Sequence, residues 1–253
     1  MHIRLVGKEQ RPLSVWPDVS RRRRRAEWMD DPKLDPALHA DALAGLARIN
    51  LFSGSARILW PSVFEAARRK DAEHKPLRVL DVATGSGDVP VRLWMKARRA
   101  GVQLDIAACD ASEAALSFAS ERAAAAGADV RFFQCDLLGD EEFASEYDVV
   151  CCSLFLHHLH EEDACRVLQR LARVTREALL VNDLLRNARG LLLAAIAPRL
   201  LTRSPVVHQD AIRSVQGAFT ESEARALAER AGLRNAHVTR HWPCRYLLSW
   251  RRL

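Results

Sequence analysis

Asp81-Val82-Ala83-Thr84-Gly85-Ser86-Gly87-Asp88 follows directly on the apolar run Leu77-Arg78-Val79-Leu80. The run predicts a buried strand over 77–82, and the pattern from about Asp88 to Ala100 predicts a helix that Gly101 ends. A glycine-rich turn between strand and helix lets a ligand lie close to backbone, at a helix N-terminus and the carboxyl end of a sheet. Gly85 and Gly87 supply the missing side chains and the open dihedrals that such an approach needs.

Working outward, the same alternation repeats. Leu104-Asp105-Ile106-Ala107-Ala108-Cys109-Asp110 reads as a second strand, and Ser112 caps an Ala-rich helix stopped by Gly127. Strands are predicted over 130–135, 147–153 and 178–183, with a helix from about Glu162 to Thr175 before the last of these. Repeated strand–helix units imply an α/β, doubly wound, mainly parallel sheet. After Asp183 the rhythm breaks into an insert over about 184–218, too long for a tight loop and expected to form a lid or extra helices. Thr220 and Glu223 then make a capping box for a helix ending at Gly232, and strand-like pieces follow at 237–241 and 246–250.

On the N-terminal side, residues 1–27 form a basic irregular leader broken by Pro12 and Pro17. Residues 28–70 form a helical cover. Asp35 caps one helix, with Pro36 first and Leu38, Leu43, Leu46 and Ile49 at helical spacing. A second helix runs from about Ser55 to Ala67, with Pro61 as a kink point. Both helices are expected over the open edge of the sheet. Residues 71–253 make the main domain.

Totals set outer limits. A chain of 253 residues can bury one large core, and its 49% hydrophobic and 28% charged shares are those of a globular protein. No run is long and apolar enough for a membrane span, and the first residues hold no signal-peptide stretch. The six cysteines form no Cys-x-x-Cys pair, which points to buried free thiols in a reducing cytoplasm and to no metal site. The net charge of +6 is concentrated in Arg21-Arg22-Arg23-Arg24-Arg25, read as a solvated leader in preference to a phosphate or anionic-lipid contact. Nucleic acid is disfavoured as a partner. The expected partner is a small molecule, for a monomer or a homodimer.

Ligand type follows from what surrounds the turn. A dinucleotide fingerprint needs a third glycine at position 90, where this chain has Pro90, and no Gly-Lys-Ser/Thr follows to make a P-loop. Asp110 ends the second strand, where a carboxylate can accept both ribose hydroxyls, and Asp136 follows the third. A loop carrying Asp81 and Asp88 suits a ligand with an ammonium group and no phosphates.

Asp81-x-Ala83-x-Gly85-x-Gly87-Asp88 resembles motif I of class I S-adenosylmethionine-dependent methyltransferases, in the variant with Ala at the first glycine position. That variant is similar to the ubiquinone/menaquinone C-methyltransferase family. The segment Leu156-His157-His158-Leu159 after strand four resembles the turn of small-molecule members. The leader and the insert resemble methyltransferases associated with type III polyketide synthases. The resemblance implies a Rossmann-like seven-stranded sheet with an antiparallel last strand, and S-adenosylmethionine as cofactor. It places Asp81, Ala83, Thr84, Gly85, Gly87 and Asp88 along the cofactor, with Asp110 and Ala111 at its ribose. Cys135, Asp136 and Leu137 fall at the adenine, and Ser153 at the end of strand four.

A phenol or enol acceptor needs a proton removed, which suits a histidine. The candidates are His157, His158 and His208, the last with Asp210 two residues on, and Asp183 as an orienting group beside Asn182. The apolar insert (Leu184, Leu185, Leu191, Leu192, Leu193, Ile196) is read either as a lid over a hydrophobic or aromatic acceptor or as plain core. The expected activity is methylation of a phenol, quinone or polyketide-derived acceptor, at oxygen ahead of carbon. The alternatives are an NAD-dependent reductase, against which Pro90 stands, and a non-enzymatic cofactor-binding scaffold or nucleic-acid-associated regulator.

Overall fold

Strand periodicity splits the core in two. In the computed structural model, which describes residues 19–30, 34, 35, 37, 38, 41, 42, 44, 45, 49, 54–139 and 143–252, β1 (Leu77–Val82) sends Leu77 and Val79 to one face and Leu80 and Val82 to the other. A strand buried on both faces reads as a continuous apolar run, which is how this stretch is written. Expectations for residues 1–18, Pro36, Leu43 and Leu46 lie outside the described residues.

The chain continues as α2 (Asp88–Ala100), β2 (Leu104–Asp110), α3 (Glu113–Ala126), β3 (Val130–Gln134), β4 (Tyr147–Ser153), α4 (Glu161–Val174) and β5 (Thr175–Leu184). Then come α5 (Ala188–Leu201), α6 (Pro205–Gly217), α7 (Glu221–Arg230), β6 (His237–His241) and β7 (Arg245–Arg251); α1 (Ser55–Asp71) precedes β1. The sheet order is β3-β2-β1-β4-β5-β7-β6, with β1 to β5 parallel and β7 antiparallel to both its neighbours. This is the expected Rossmann-like sheet. The chain order reverses between β1 and β4, the crevice where open α/β sheets take ligands.

Local capping chemistry explains the helix ends. Ser112 accepts the Ala115 N–H, Gly127 closes α3 in the left-handed region, and Thr220 and Glu223 form the capping box of α7. Asp35 Oδ1 accepts the N–H groups of Ala37 and Leu38.

Two expectations are corrected. Helix α1 runs through Pro61 and packs on α2 and across β1, β4 and β5, so it covers a face of the sheet and not its open edge. Its buried side, Ile58, Leu59, Val63, Ala66 and Ala67, continues the core on that face. The insert forms the helix pair α5–α6, but Leu192, Leu193, Ile196 and Leu200 of α5 are exposed, whereas Leu185 and Leu191 are buried. Leu185 at the start of the insert joins the core, but these exposed α5 side chains do not, which overturns the core reading for them. Buried Arg186 fastens the insert, donating to Glu223 in two bonds, to the Ala218 carbonyl and to the Val19 carbonyl. The six cysteines are free thiols, four of them buried. Among the described residues no helix is long and apolar enough to cross a membrane.

Candidate active site

The turn after β1 is held in an open shape by its own hydrogen bonds. The Thr84 N–H donates to the Cys109 carbonyl, the Gly85 N–H to Asp110 Oδ2 at 2.8 Å, and the Gly87 N–H to the Thr84 carbonyl. Asp110 Oδ1 accepts the Ser112 N–H at 2.9 Å, so one carboxylate ties the first turn to the second. Ala83, Gly85 and Gly87 have φ of 50°, 54° and 70°. Ala83 bears the left-handed strain that glycine would avoid, about 1–2 kcal/mol. The two glycines serve different needs. A Cβ on Gly85 would meet no atom within 4 Å, whereas one on Gly87 would lie 2.8 Å from the Ala119 Cβ. Gly87 permits α2 and α3 to close together, and Gly85 faces open space.

Burial decides the charge state of Asp81. Desolvation pushes its carboxyl up to about 7; the Thr84 hydroxyl, donating to Oδ2 at 2.6 Å, pulls the other way, and Asp88 and Asp110 add to the rise. Oδ1 is buried with no partner among the described residues. Asp88 is likewise raised by burial, offset by Arg122, Arg92 and Arg245.

Asp81 is one of a set. Register places it opposite Cys151, two residues from Ser153, which pairs with Asn182; Leu184 pairs with Arg245. Side chains alternate along strands, so Asp81, Ser153, Asn182 and Arg245 share the face covered by α1 and α2. Asp81 Oδ1, Ser153 Oγ, both Asn182 amide atoms and Arg245 Nε are buried without partners among the described residues. Native interiors rarely leave such atoms unmet, and several at one sheet end suit a polar ligand. Arg245, bonded to Ser55 Oγ at 3.2 Å, is lowered by burial to about 10, with Asp183 and Asp88 opposing. A cavity of about 570 Å³ opens beside Ser55 and Asp88 along α2, lined by Arg57, Arg92, Lys96, Arg99 and Arg122.

The opposite face carries an ionic cluster. A 3-10 turn, Leu156–His158, follows β4 and presents buried His157 to Asp183 of β5. The His157 Nδ1–Asp183 Oδ1 distance is 2.6 Å, and Asp183 Oδ2 accepts the His157 N–H. Glu27 approaches from the leader, its Oε1 3.7 Å from His157 Nε2 and 3.9 Å from His158 Nδ1. Burial alone would lower the His157 pKa, but Asp183 and Glu27 outweigh it and raise it to about 10. Both carboxylates stay low despite their own burial, because His157 faces them. His157 is thus a held cation at neutral pH, a positioning group more than a proton acceptor.

Among the described residues of the leader, Arg22 is docked and not freely solvated, which corrects its reading. Its Nε donates to the Gly217 carbonyl and one Nη to the carbonyls of His157 and Leu159, and its guanidinium lies 3.8 Å from the Phe219 ring centroid. Asp210 accepts the N–H groups of Trp28 and Met29, so it does not orient His208; His208 Nε2 instead meets the Thr202 carbonyl at 2.9 Å. Cys135 and Leu137 are buried past β3, Asp136 Oδ1 accepts the Leu138 N–H, and the Ala111 carbonyl accepts from Gln134. Sequence reasoning missed Glu27, Arg22 and Arg245. Their partners lie 130 residues or more away in the first two cases, and no local motif marks them.

Residues 79–178, from β1 into β5, match the family described as methyltransferase domain. This segment is a methyltransferase domain. This domain implies S-adenosylmethionine as methyl donor, and with it a methyltransferase dependent on that cofactor. No curated protein sequence matches significantly. Among solved structures, magnesium protoporphyrin IX methyltransferase from Synechocystis PCC 6803 with bound S-adenosylmethionine is 15% identical at a TM-score of 0.53, covering 89% of this chain and 88% of its own. The plantazolicin methyltransferase BpumL, in complex with a pentazolic desmethyl-plantazolicin analog and S-adenosylhomocysteine, is 14% identical (TM-score 0.57, 85% and 96% covered). The S-adenosylmethionine-dependent methyltransferase SibL in its apo form is 18% identical (TM-score 0.60, 86% and 60% covered). At these identities the likeness is one of fold.

Proposed function

We propose that the protein methylates a small hydrophobic or aromatic acceptor (a phenol, quinone or polyketide-derived molecule), at oxygen in preference to carbon. The observation that carries the donor half is the open cradle at Gly85 beside Asp81 Oδ1, which has no hydrogen-bond partner among the described residues. When bound there, S-adenosylmethionine supplies a methyl group on a cationic sulfur. Asp81 Oδ1 suits the donor's ammonium, and Ala83, Thr84, Gly85, Gly87 and Asp88 frame its amino-acid end. Asp110 keeps lone pairs beyond the two N–H bonds it accepts, enough for ribose hydroxyls. Ala111 flanks the ribose, and Cys135, Asp136 and Leu137 line the adenine. Ser153 and Asn182, with buried unmet polar atoms near the β4–β5 end, orient the groups between donor and acceptor.

Proton removal from the acceptor falls to His208. A carbonyl can only accept, so the contact with Thr202 requires the proton on Nε2 and leaves a lone pair on Nδ1. His157, held by Asp183, and His158 beside it position the acceptor end of β4. BpumL, bound to a desmethyl-plantazolicin analog, and the magnesium protoporphyrin IX methyltransferase are similar in fold and fit this acceptor class. Calorimetry with S-adenosylmethionine, followed by a mass-spectrometric screen of phenols, quinones and alkylresorcinol-like compounds, tests both halves. Asp110→Ala should weaken donor binding at least about tenfold, through loss of charge-assisted hydrogen bonds. His208→Ala should cut turnover about 10²–10⁴-fold with donor affinity unchanged. Unchanged turnover would remove His208, and absence of donor binding would remove the function.

A further inference from the structure

We propose that Glu27, His157 and His158 form a binding site for one divalent transition-metal ion. Their ligand atoms all lie within 4.8 Å of one another. Glu27 Oε1 is 3.7 Å from His157 Nε2 and 3.9 Å from His158 Nδ1, both too long for direct hydrogen bonds. Ligands about 2.0–2.2 Å from one ion lie roughly 3.3–3.6 Å from each other in a tetrahedron. The two Glu27 distances come within a few tenths of an ångström of that spacing, and the two histidine nitrogens, within 4.8 Å, close by a ring rotation. Glu27 Oε1 also accepts the Ser214 hydroxyl at 2.5 Å, which holds the carboxylate facing both rings.

The surroundings support an ion. Asp183 Oδ1 holds the far nitrogen of His157 at 2.6 Å, which fixes the ring and turns Nε2 towards Glu27. A carboxylate behind a ligating histidine is the usual outer partner of a metal site. With two neutral imidazoles, the carboxylates of Glu27 and Asp183 supply the two negative charges that balance a dication. Arg22, the nearby cation, bonds the carbonyls of the turn, including those of His157 and Leu159. A proton on His157 and a metal ion are alternative occupants of the same nitrogen.

Ligand chemistry selects the ion. Two imidazoles and one carboxylate suit zinc and its first-row neighbours, not magnesium or calcium, which prefer oxygen ligands alone. His157 and Glu27 are almost excluded from solvent, but the His158 side chain is 25% exposed and gives the ion its way in. Three protein ligands leave one position for water or an oxygen of a bound molecule. Two ligands come from the turn after β4 and the third from the leader, so an ion here ties the leader to the carboxyl edge of the sheet. This goes beyond methyl transfer and does not depend on it.

The test is titration of chelator-stripped protein with Zn²⁺ by calorimetry and with Co²⁺ by visible absorption. S-adenosylmethionine binding on the same preparation reads the donor site separately. One ion per chain is expected, with the Co²⁺ absorption of a mixed nitrogen–oxygen site. His158→Ala and Glu27→Gln should each weaken Zn²⁺ binding by more than about tenfold, with the circular dichroism spectrum retained. No ion bound by the wild type would overturn the proposal. So would equal affinity in wild type and either folded variant, because the ion would then sit on surface histidines.

Discussion

Asp183 grips His157 at two points: Oδ1 lies 2.6 Å from ring Nδ1, and Oδ2 accepts the backbone N–H of the same residue at 3.1 Å. Both side chains are buried, and they join the ends of β4 and β5 across the carboxyl edge. Removing one partner of a buried ion pair leaves the other charge uncompensated. Asp183→Asn should therefore lower unfolding free energy by about 3–5 kcal/mol, measured by urea denaturation. A loss under about 1 kcal/mol would mean that Glu27 alone holds His157.

Asp81 gives the donor site a pH dependence. Its folded pKa of about 7 lies above the ordinary value of 3.8. A raised carboxyl contributes stability that is fully present below the unfolded pKa and is lost as pH rises through about 7. The donor-free protein should therefore become less stable between pH 4 and 7. Binding of an ammonium group needs the ionised form, so S-adenosylmethionine affinity should rise about tenfold per pH unit from pH 5 to 6.5 and level off near 7. Calorimetry across that range checks it, and Asp81→Asn should flatten the slope. A flat profile in the wild type would remove Asp81 as the ammonium partner.

The two ends of the turn respond oppositely to one methyl group. Ala83→Gly relieves a φ of 50°, so stability should hold or rise by up to about 1 kcal/mol, the left-handed cost less the entropy of glycine. Gly87→Ala places a Cβ 2.8 Å from that of Ala119 at a φ of 70°. Overpacking costs about 1–3 kcal/mol and the backbone conformation about 1–2 more. Thermal unfolding of the two variants should therefore shift in opposite directions, or at least differ by several degrees. Equal midpoints would mean that α2 and α3 can separate without cost.

Much of this was legible in the sequence because its causes are local. The short run Leu77–Val82, bounded by a glycine turn and rich in Leu and Val, reads as a strand buried on both faces, and Ser112, Gly127, Thr220 and Glu223 announce helix ends through bonds spanning three or four residues. The motif around Gly85 was readable for the same reason. What escaped depends on distant pairing. Nothing near Glu27 says that it meets His157, and nothing in α1 says that its apolar side lies across β1, β4 and β5. The apolar run of α5 misled because periodicity reports which residues could be buried, not whether a surface exists to bury them; Leu200 is 80% exposed.

Arg22 makes the docked leader testable. Five arginines stand in a row, yet Arg22 is the one placed on the Phe219 ring and bonded to the carbonyls of Gly217, His157 and Leu159. Burial lowers its pKa, and Glu161, Asp183 and Glu223 oppose the shift, so the guanidinium stays charged and its bonds are charge-assisted. Each such bond contributes about 1.5–3 kcal/mol, far more than an exposed cation could. Arg22→Ala should release residues 19–30, seen as faster amide hydrogen exchange there and faster proteolysis after the remaining arginines. Arg21→Ala, at an exposed neighbour, should leave both rates near wild type. If the two variants behave alike, the leader is held by Glu27 and by the Asp210 bonds to Trp28 and Met29, and Arg22 is not its anchor.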